Sequence, residues 1–283
     1  MAEVLGREEV RWALAEDQAS EDVTTQLLGA AAERPVVAQI IAEAGLVVAG
    51  LPVAAQVFRE LDSHVDFSML IGDGAWARAG AAVARVRASA RAMLAGERVA
   101  LNFLQRLSGI ATLTRRAVDA VAGTRARITH TRKTTPGLRA LECYAVGLGG
   151  GVPNRTSLAE AVLWKDNHWA IATDQGKKLR DALATVHAGI SVIVEVETDA
   201  QLEAALAAGV THILADNQSP EQVAAWVRRA GPAVTFQASG AITPESVRAY
   251  ALAGAKLIAL GALTHSAPAA PMRLDVCAAT PSQ

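Results

Sequence analysis

SVIVEVETDAQLEAALAAGVTHILADNQSPEQVAAWVRRAGPAVTFQASGAITPESVRAYALAGAKLIALGALTHS, residues 191–266, is the stretch that decides the fold. Four short apolar runs, SVIVEV (191–196), THILA (211–215), AVTFQ (233–237) and KLIAL (256–260), alternate with three alanine-rich segments of helical texture. Each helical segment stops at an Ala-Gly pair, and glycine is the residue that most readily takes the left-handed backbone closing a helix. Strands that alternate with helices at this spacing predict βαβ units on a parallel sheet. Upstream, ARITHT (126–131) and AVLW (161–164) add two more strands. Six strands are too few for a complete eightfold barrel, so the expectation is an open, incomplete α/β barrel, with a doubly wound sheet as the alternative.

The first ninety or so residues have a different texture. Residues 8–16 form a short amphipathic helix, SEDVTT (20–25) a turn, and 36–43 and 46–48 strands divided by Gly45. A helix opened by Pro52 covers 52–61, and strand signals return near Val65–Phe67 and at 82–87. A long helical run then begins near Ala90 and reaches Val121. The expected division is an N-terminal α/β sandwich over 1–108, the barrel over 109–267, and a tail over 268–283 whose MRLDV forms a strand returning to the first domain.

Composition narrows the function classes. With 51% apolar residues among 283, a sizeable core is within reach. A net charge of −1 argues against a nucleic-acid track. No run of eighteen apolar residues suggests a membrane span. Two cysteines, Cys143 and Cys277, make neither a disulfide framework nor a zinc site, which suits a reducing cytoplasm. The charged start MAEVLGREEV is unlike a signal peptide.

The polar residues fall at strand ends. Arg132 and Lys133 follow the first barrel strand, and Lys165, Asp166, Asn167 and His168 the second. Glu195 and Glu197 mark the third, Asp216 and Asn217 the fourth, Ser239 and Gly240 the fifth, and Gly261 the sixth. In a parallel barrel these ends share one face, which is where active sites form. Arg132, Lys133, Arg155 and Lys165 make a cationic set suited to carboxylates and phosphates. Glu195 and Asp216 make an anionic pair suited to Mg²⁺ beside a phosphorylated substrate. The small-residue loops ASGAI (238–242) and LGALTHS (260–266) follow the last two strands, where barrels often hold a phosphate.

These blocks carry a family resemblance over nearly the whole chain. HTRKTTPGLRALECYAVGLGGG (130–151) resembles the T-R-K-T-x-P-G-x-R signature of quinolinate phosphoribosyltransferases, and LWKDNHW (163–169) their L-x-K-D/E-N-H segment. EVE (195–197), LADN (214–217), ASG (238–240), GALTHS (261–266) and, earlier, ERVALNFLQRLSGIAT (97–112) fit further family blocks in order. The resemblance implies a homodimer that joins quinolinate to phosphoribosyl pyrophosphate with Mg²⁺ and releases carbon dioxide. By the same resemblance Arg98 reaches the neighbouring subunit's site, and Arg132, Asn154, Arg155 and Lys165 belong to the acid pocket. Lys133 serves the phosphoribosyl substrate, and Glu195 and Asp216 serve the ribose hydroxyls and the metal. Ser239, Gly240, Gly261 and Ala262 hold the 5′-phosphate. Schiff-base chemistry at Lys133 or Lys165 is a competing reading that the TRKT context disfavours.

Departures cluster in the acid half. Where the family reads G-G-G-x-N-H-R-x-G-L, this chain reads GGGVPNRTSL (149–158), so Pro153 replaces an asparagine, Asn154 a histidine and Ser157 a glycine. Cys143 stands where lysine is usual, and His130 occupies a variable position. Asparagine carries no charge, so a paralogue acting on another heteroaromatic acid, such as the branch associated with molybdate transport, and a non-catalytic phosphate-binding paralogue are the alternatives.

Overall fold

The computed structural model describes residues 5–174 and 178–277. The helices are α1 (Arg7–Glu16), α2 (Val23–Gln26), α3 (Leu51–Leu61), α4 (Ala90–Ala120), α5 (Arg139–Leu148), α6 (Asp166–Asp174), α7 (Leu179–Leu183), α8 (Asp199–Ala207), α9 (Pro220–Ala230), α10 (Val247–Leu252) and α11 (Ala262–His265). The strands are β1 (Pro35–Ala42), β2 (Leu46–Val47), β3 (Asp66–Met69), β4 (Trp76–Ala77), β5 (Ala82–Ser89), β6 (Arg127–Thr129), β7 (Ala161–Trp164), β8 (Ser191–Val196), β9 (His212–Asp216), β10 (Thr235–Ser239), β11 (Leu257–Ala259) and β12 (Met272–Val276). They group into two compact units. One holds the residues up to Arg115, Thr135–Gly149 and the segment from Ala267 on; the other holds Arg116–Thr134 and Gly150–Ser266.

The first unit is built on a mixed layer of helices and an antiparallel sheet ordered β12-β1-β5-β3. Alternation in β5 buries Val86 and Ala88 while Arg85 and Arg87 face outward, as the two-residue period of a half-buried strand requires. β12 closes the sheet by pairing Met272 with Ala42 and Val276 with Ala38. The turn expected over SEDVTT instead winds into α2, because Asp22 accepts the backbone N–H groups of Thr24 (2.9 Å) and Thr25 (3.1 Å) as an N-cap. Within α4, Gly109 lies under the chain at Pro268: a Cβ built there would sit 2.0 Å from the Pro268 carbonyl oxygen. Gly109→Ala is therefore expected to destabilise the protein by about 1–3 kcal/mol, even though alanine alone favours a helix by about 1 kcal/mol over glycine. A thermal melt at or above the wild-type midpoint would show that the crossing chain yields freely.

The second unit carries six parallel strands ordered β6-β11-β10-β9-β8-β7. β6 and β7 are its two edges, and among the described residues no ladder joins them, so the sheet is an open barrel. Gly209, Gly231 and Gly254, the glycines of the three Ala-Gly stops, all take positive φ. α8 starts at a capping box between Thr198 and Gln201, and α9 at Ser219 with Pro220 in its first turn. Beside the free edge of β6 runs the segment around Val152, whose N–H donates to the Ile128 carbonyl at 2.8 Å. The side chain of Thr129 donates back to the Val152 carbonyl, also at 2.8 Å.

Asp166–His168, read only as polar residues that follow a strand end, open α6, with Asp166 Oδ1 accepting the Asn167 N–H at 2.7 Å. His212, in the run THILA, is a half-buried residue of β9 whose Nε2 lies 3.2 Å from Gln237 Oε1.

Candidate active site

A cavity of about 420 Å³ lies at the C-terminal ends of the parallel strands of the second unit. Its lining follows from strand geometry. Residues two apart on a strand face the same way, so Leu163, Ile193 and Leu214 form an apolar layer one step behind the polar layer of Lys165, Glu195 and Asp216. Gln237 and Ser239 repeat the step on β10. Arg132 and Lys133 enter from the end of β6, and Asn154 and Arg155 from the segment beside it.

One side of the cavity is cationic. Arg132 Nε is buried and has no hydrogen-bond partner among the described residues. A buried charged donor without a partner is costly, so the guanidinium is set up for an anion. Arg155 donates from Nη1 to the Ala161 carbonyl at 3.1 Å. Burial, and then the charge of Arg132, lower its pKa below the usual value. Two guanidinium groups within electrostatic reach of each other favour a ligand with negative charge. Lys165 Nζ stands 3.5 Å from Asp166 Oδ1, at the rim, where the side chain is about two-fifths exposed.

The other side is anionic. Glu195, Glu197 and Asp216 each offer an oxygen, all within 4.8 Å of one another. Burial, reinforced by the charge of Asp216, pushes the Glu195 carboxyl up to about 7. Trp169 Nε1 donates to the Glu195 carbonyl at 2.9 Å and fixes this strand end. Asp216 Oδ2 accepts from Asn217 Nδ2 at 2.7 Å. Asn217 has φ +51, and the glycine at 240, with φ +123, lets the next strand end approach it: a Cβ there would fall 2.5 Å from Asn217 Oδ1. Three carboxylates drawn together with one carboxyl raised are a donor set that a divalent cation fits, since a cation relieves the crowding.

The cavity brings together Arg132, Lys133, Asn154, Arg155, Lys165, Glu195, Asp216 and Ser239. Gly240, Gly261 and Ala262 are not among its lining residues. Gly261 backs Lys133 instead: a Cβ built on it would come 3.2 Å from Lys133 Cδ. Thr264, one turn on, donates to the Lys133 carbonyl at 2.8 Å. Arg98 belongs to the first unit, exposed on α4. Residues not singled out as site candidates also enter the lining, namely Thr131, Asp166 and Gln237, while Glu197 completes the carboxylate group. The two-residue step from Glu195 to Glu197 and from Ser239 back to Gln237 was the available signal for two of them.

Comparison with known proteins bears on this arrangement. The family model for the quinolinate phosphoribosyl transferase N-terminal domain matches residues 22–108, and that for the C-terminal domain matches 110–275. A probable nicotinate-nucleotide pyrophosphorylase [carboxylating] of Bacillus subtilis is 39% identical over 264 residues, covering 92% of this chain and 90% of its own. The nicotinate-nucleotide pyrophosphorylase [carboxylating] of Mycobacterium leprae is 39% identical over 279 residues, covering 95% and 96%. The crystal structure of the nicotinate-nucleotide pyrophosphorylase of Ehrlichia chaffeensis superposes with a TM-score of 0.89 at 33% identity, covering 98% of this chain and 100% of that one. No helix among the described residues is long and apolar enough to cross a membrane. With both domain models matched in order and along nearly the full length, this chain belongs to the quinolinate phosphoribosyl transferase family.

Proposed function

We infer that this chain transfers a phosphoribosyl group from phosphoribosyl pyrophosphate to quinolinate and decarboxylates the adduct, giving nicotinate mononucleotide, pyrophosphate and carbon dioxide for NAD biosynthesis. The observation that carries the reading is the division of one cavity into a cationic side, Arg132, Arg155 and Lys165, and an anionic side, Glu195 and Asp216. The cations pair with the two ring carboxylates of quinolinate and hold its nitrogen toward the sugar, which removes most of the orientational cost of the attack. As pyrophosphate leaves, positive charge grows at the anomeric carbon, and Glu195 and Asp216 stabilise it. Lys133 neutralises charge on the phosphoribosyl substrate. The quaternised ring nitrogen then draws electrons from the adjacent carbon, so its carboxylate departs as carbon dioxide and the carbon takes up a proton. Ser239 and Gly240 after β10, with Gly261 and Ala262 after β11, receive the 5′-phosphate through backbone N–H groups.

Glu195 and Asp216, with Glu197 beside them, would hold Mg²⁺. Bound there, the ion would offset charge on the pyrophosphate. Asp216→Asn is expected to raise the Mg²⁺ concentration giving half-maximal rate by at least roughly tenfold, since loss of a ligand costs no less than the loss of a ligand's supporting residue, about 10–100-fold; an unchanged Mg²⁺ dependence would remove Asp216 from the metal site. The proposed assembly is a cytoplasmic homodimer in which Arg98, exposed on α4, serves the neighbouring copy's acid pocket. The decisive assay supplies purified protein, phosphoribosyl pyrophosphate, Mg²⁺ and quinolinate and follows carbon dioxide and nicotinate mononucleotide. Release of pyrophosphate only with a different heteroaromatic acid would replace quinolinate as the acceptor.

A further inference from the structure

His130 follows β6 and is 2% exposed, yet it does not line the cavity. Its ring is tied at both nitrogens. Nε2 accepts the backbone N–H of Asn154 at 3.2 Å, and Nδ1 faces the Thr131 carbonyl at 3.4 Å. An acceptor at Nε2 and a carbonyl beside Nδ1 are satisfied together by one form only, the neutral ring protonated at Nδ1. Burial, which lowers the pKa of this imidazole, favours the same neutral form.

Asn154 takes part in the same link through one amide hydrogen and its amide oxygen. Its Nδ2 donates to the His130 carbonyl at 2.9 Å, and its Oδ1 accepts the backbone N–H of Arg155 at 2.9 Å. The two bridges therefore run from the end of β6, through Asn154, to the peptide that carries the Arg155 guanidinium. Directly upstream the same two segments are joined by Val152 and Thr129. His130 thus extends this pairing to the point where Arg155 turns into the cavity. The sequence departure at 154 and the histidine at 130 are two halves of one arrangement.

We propose that His130 is a positioning residue for the acid pocket, holding Arg155 in place through Asn154, and that Asn154 serves this chain as a link within the protein rather than as a ligand of the acid. The proposal rests on the reading of the cavity as a quinolinate pocket. It follows that acid recognition falls to Arg132, Arg155 and Lys165, and that His130 acts on the acid and not on the phosphoribosyl substrate.

The test compares wild type, His130→Phe and His130→Gln. Phenylalanine keeps bulk and removes the acceptor, leaving the Asn154 N–H without it, whereas the glutamine oxygen reaches the place of Nε2. The Phe variant is expected to raise the KM for quinolinate about tenfold, with the KM for phosphoribosyl pyrophosphate within about twofold. The Gln variant is expected to stay within about threefold of wild type for both. A folded Phe variant with unchanged quinolinate KM, or with both KM values raised alike, would overturn the role. Independently of turnover, the ring-nitrogen NMR spectrum of wild type should show the Nδ1–H tautomer at neutral pH, and amide exchange at Asn154 should quicken in the Phe variant but not in the Gln variant. A ring protonated at Nε2, or unaltered exchange, would also overturn it. Should wild type not use quinolinate at all, the proposed function falls, while these two spectroscopic readouts still decide the fate of the His130 link; they decide it for wild type and Gln alone if the Phe chain does not fold.

Discussion

Lys165→Ala is expected to weaken quinolinate binding by about a hundredfold while leaving phosphoribosyl pyrophosphate binding nearly unchanged. A charge-assisted contact to a carboxylate is worth about 1.5–3 kcal/mol, and each 1.4 kcal/mol is tenfold. Lys165 stands partly exposed at the rim beside Asp166, so water softens the contact and the thousandfold losses of a fully buried pair are not expected. The separation of effects follows from its charge, which suits an acid carboxylate, whereas Lys133 is the lysine assigned to the phosphoribosyl substrate. Calorimetric titration of each substrate measures both affinities. Unchanged quinolinate affinity would remove Lys165 from the acid pocket, and equal losses for both substrates would mean that the cavity is not divided as described.

Arg106→Met is expected to cost about 3–5 kcal/mol of stability. Glu142 of α5 is completely buried and pairs with Arg106 at 2.7 Å. Its two oxygens also accept from the Thr135 hydroxyl at 2.8 Å and the Thr135 N–H at 3.1 Å. Without the guanidinium these two bonds are left to satisfy a buried carboxylate, far less than the loss of an ion pair requires. Folded proteins stand only about 5–15 kcal/mol above unfolding, so the melting temperature should drop by roughly 10 °C. Replacing both partners, Arg106→Met with Glu142→Leu, should recover most of the loss, because an apolar pair of similar volume removes the charge that needs solvation. A single variant as stable as wild type, or a double variant no better than the single, would show that Glu142 finds other compensation.

Much of this was legible in residue order. The βαβ repeats over 191–266 place Glu195, Asp216 and Ser239 at strand ends, and a strand's two-residue period puts Glu195 and Asp216 on the same face as the apolar Ile193 and Leu214 and Ser239 on the same face as Gln237. The Ala-Gly stops became helix ends at Gly209, Gly231 and Gly254 because only local backbone preference was involved. The helix from Asp166 was harder to read. KDNHW has no helical apolar face, and its winding is favoured by Asp166 at the start and by Trp169 reaching across to the Glu195 carbonyl.

The sequence by itself determined the architecture, the membership of the family and the cast of charged side chains, because periodicity, caps and motif spacing are properties of neighbours along the chain. Only tertiary structure decided which of those charges lack partners and which residues are spoken for. Arg132 Nε gains its appetite for an anion from burial, Glu195 its raised carboxyl from burial and Asp216, and His130 its role from Asn154, 24 positions away. Desolvation and hydrogen-bond satisfaction depend on what surrounds a group in space, and the spacing of residues along a chain does not specify that.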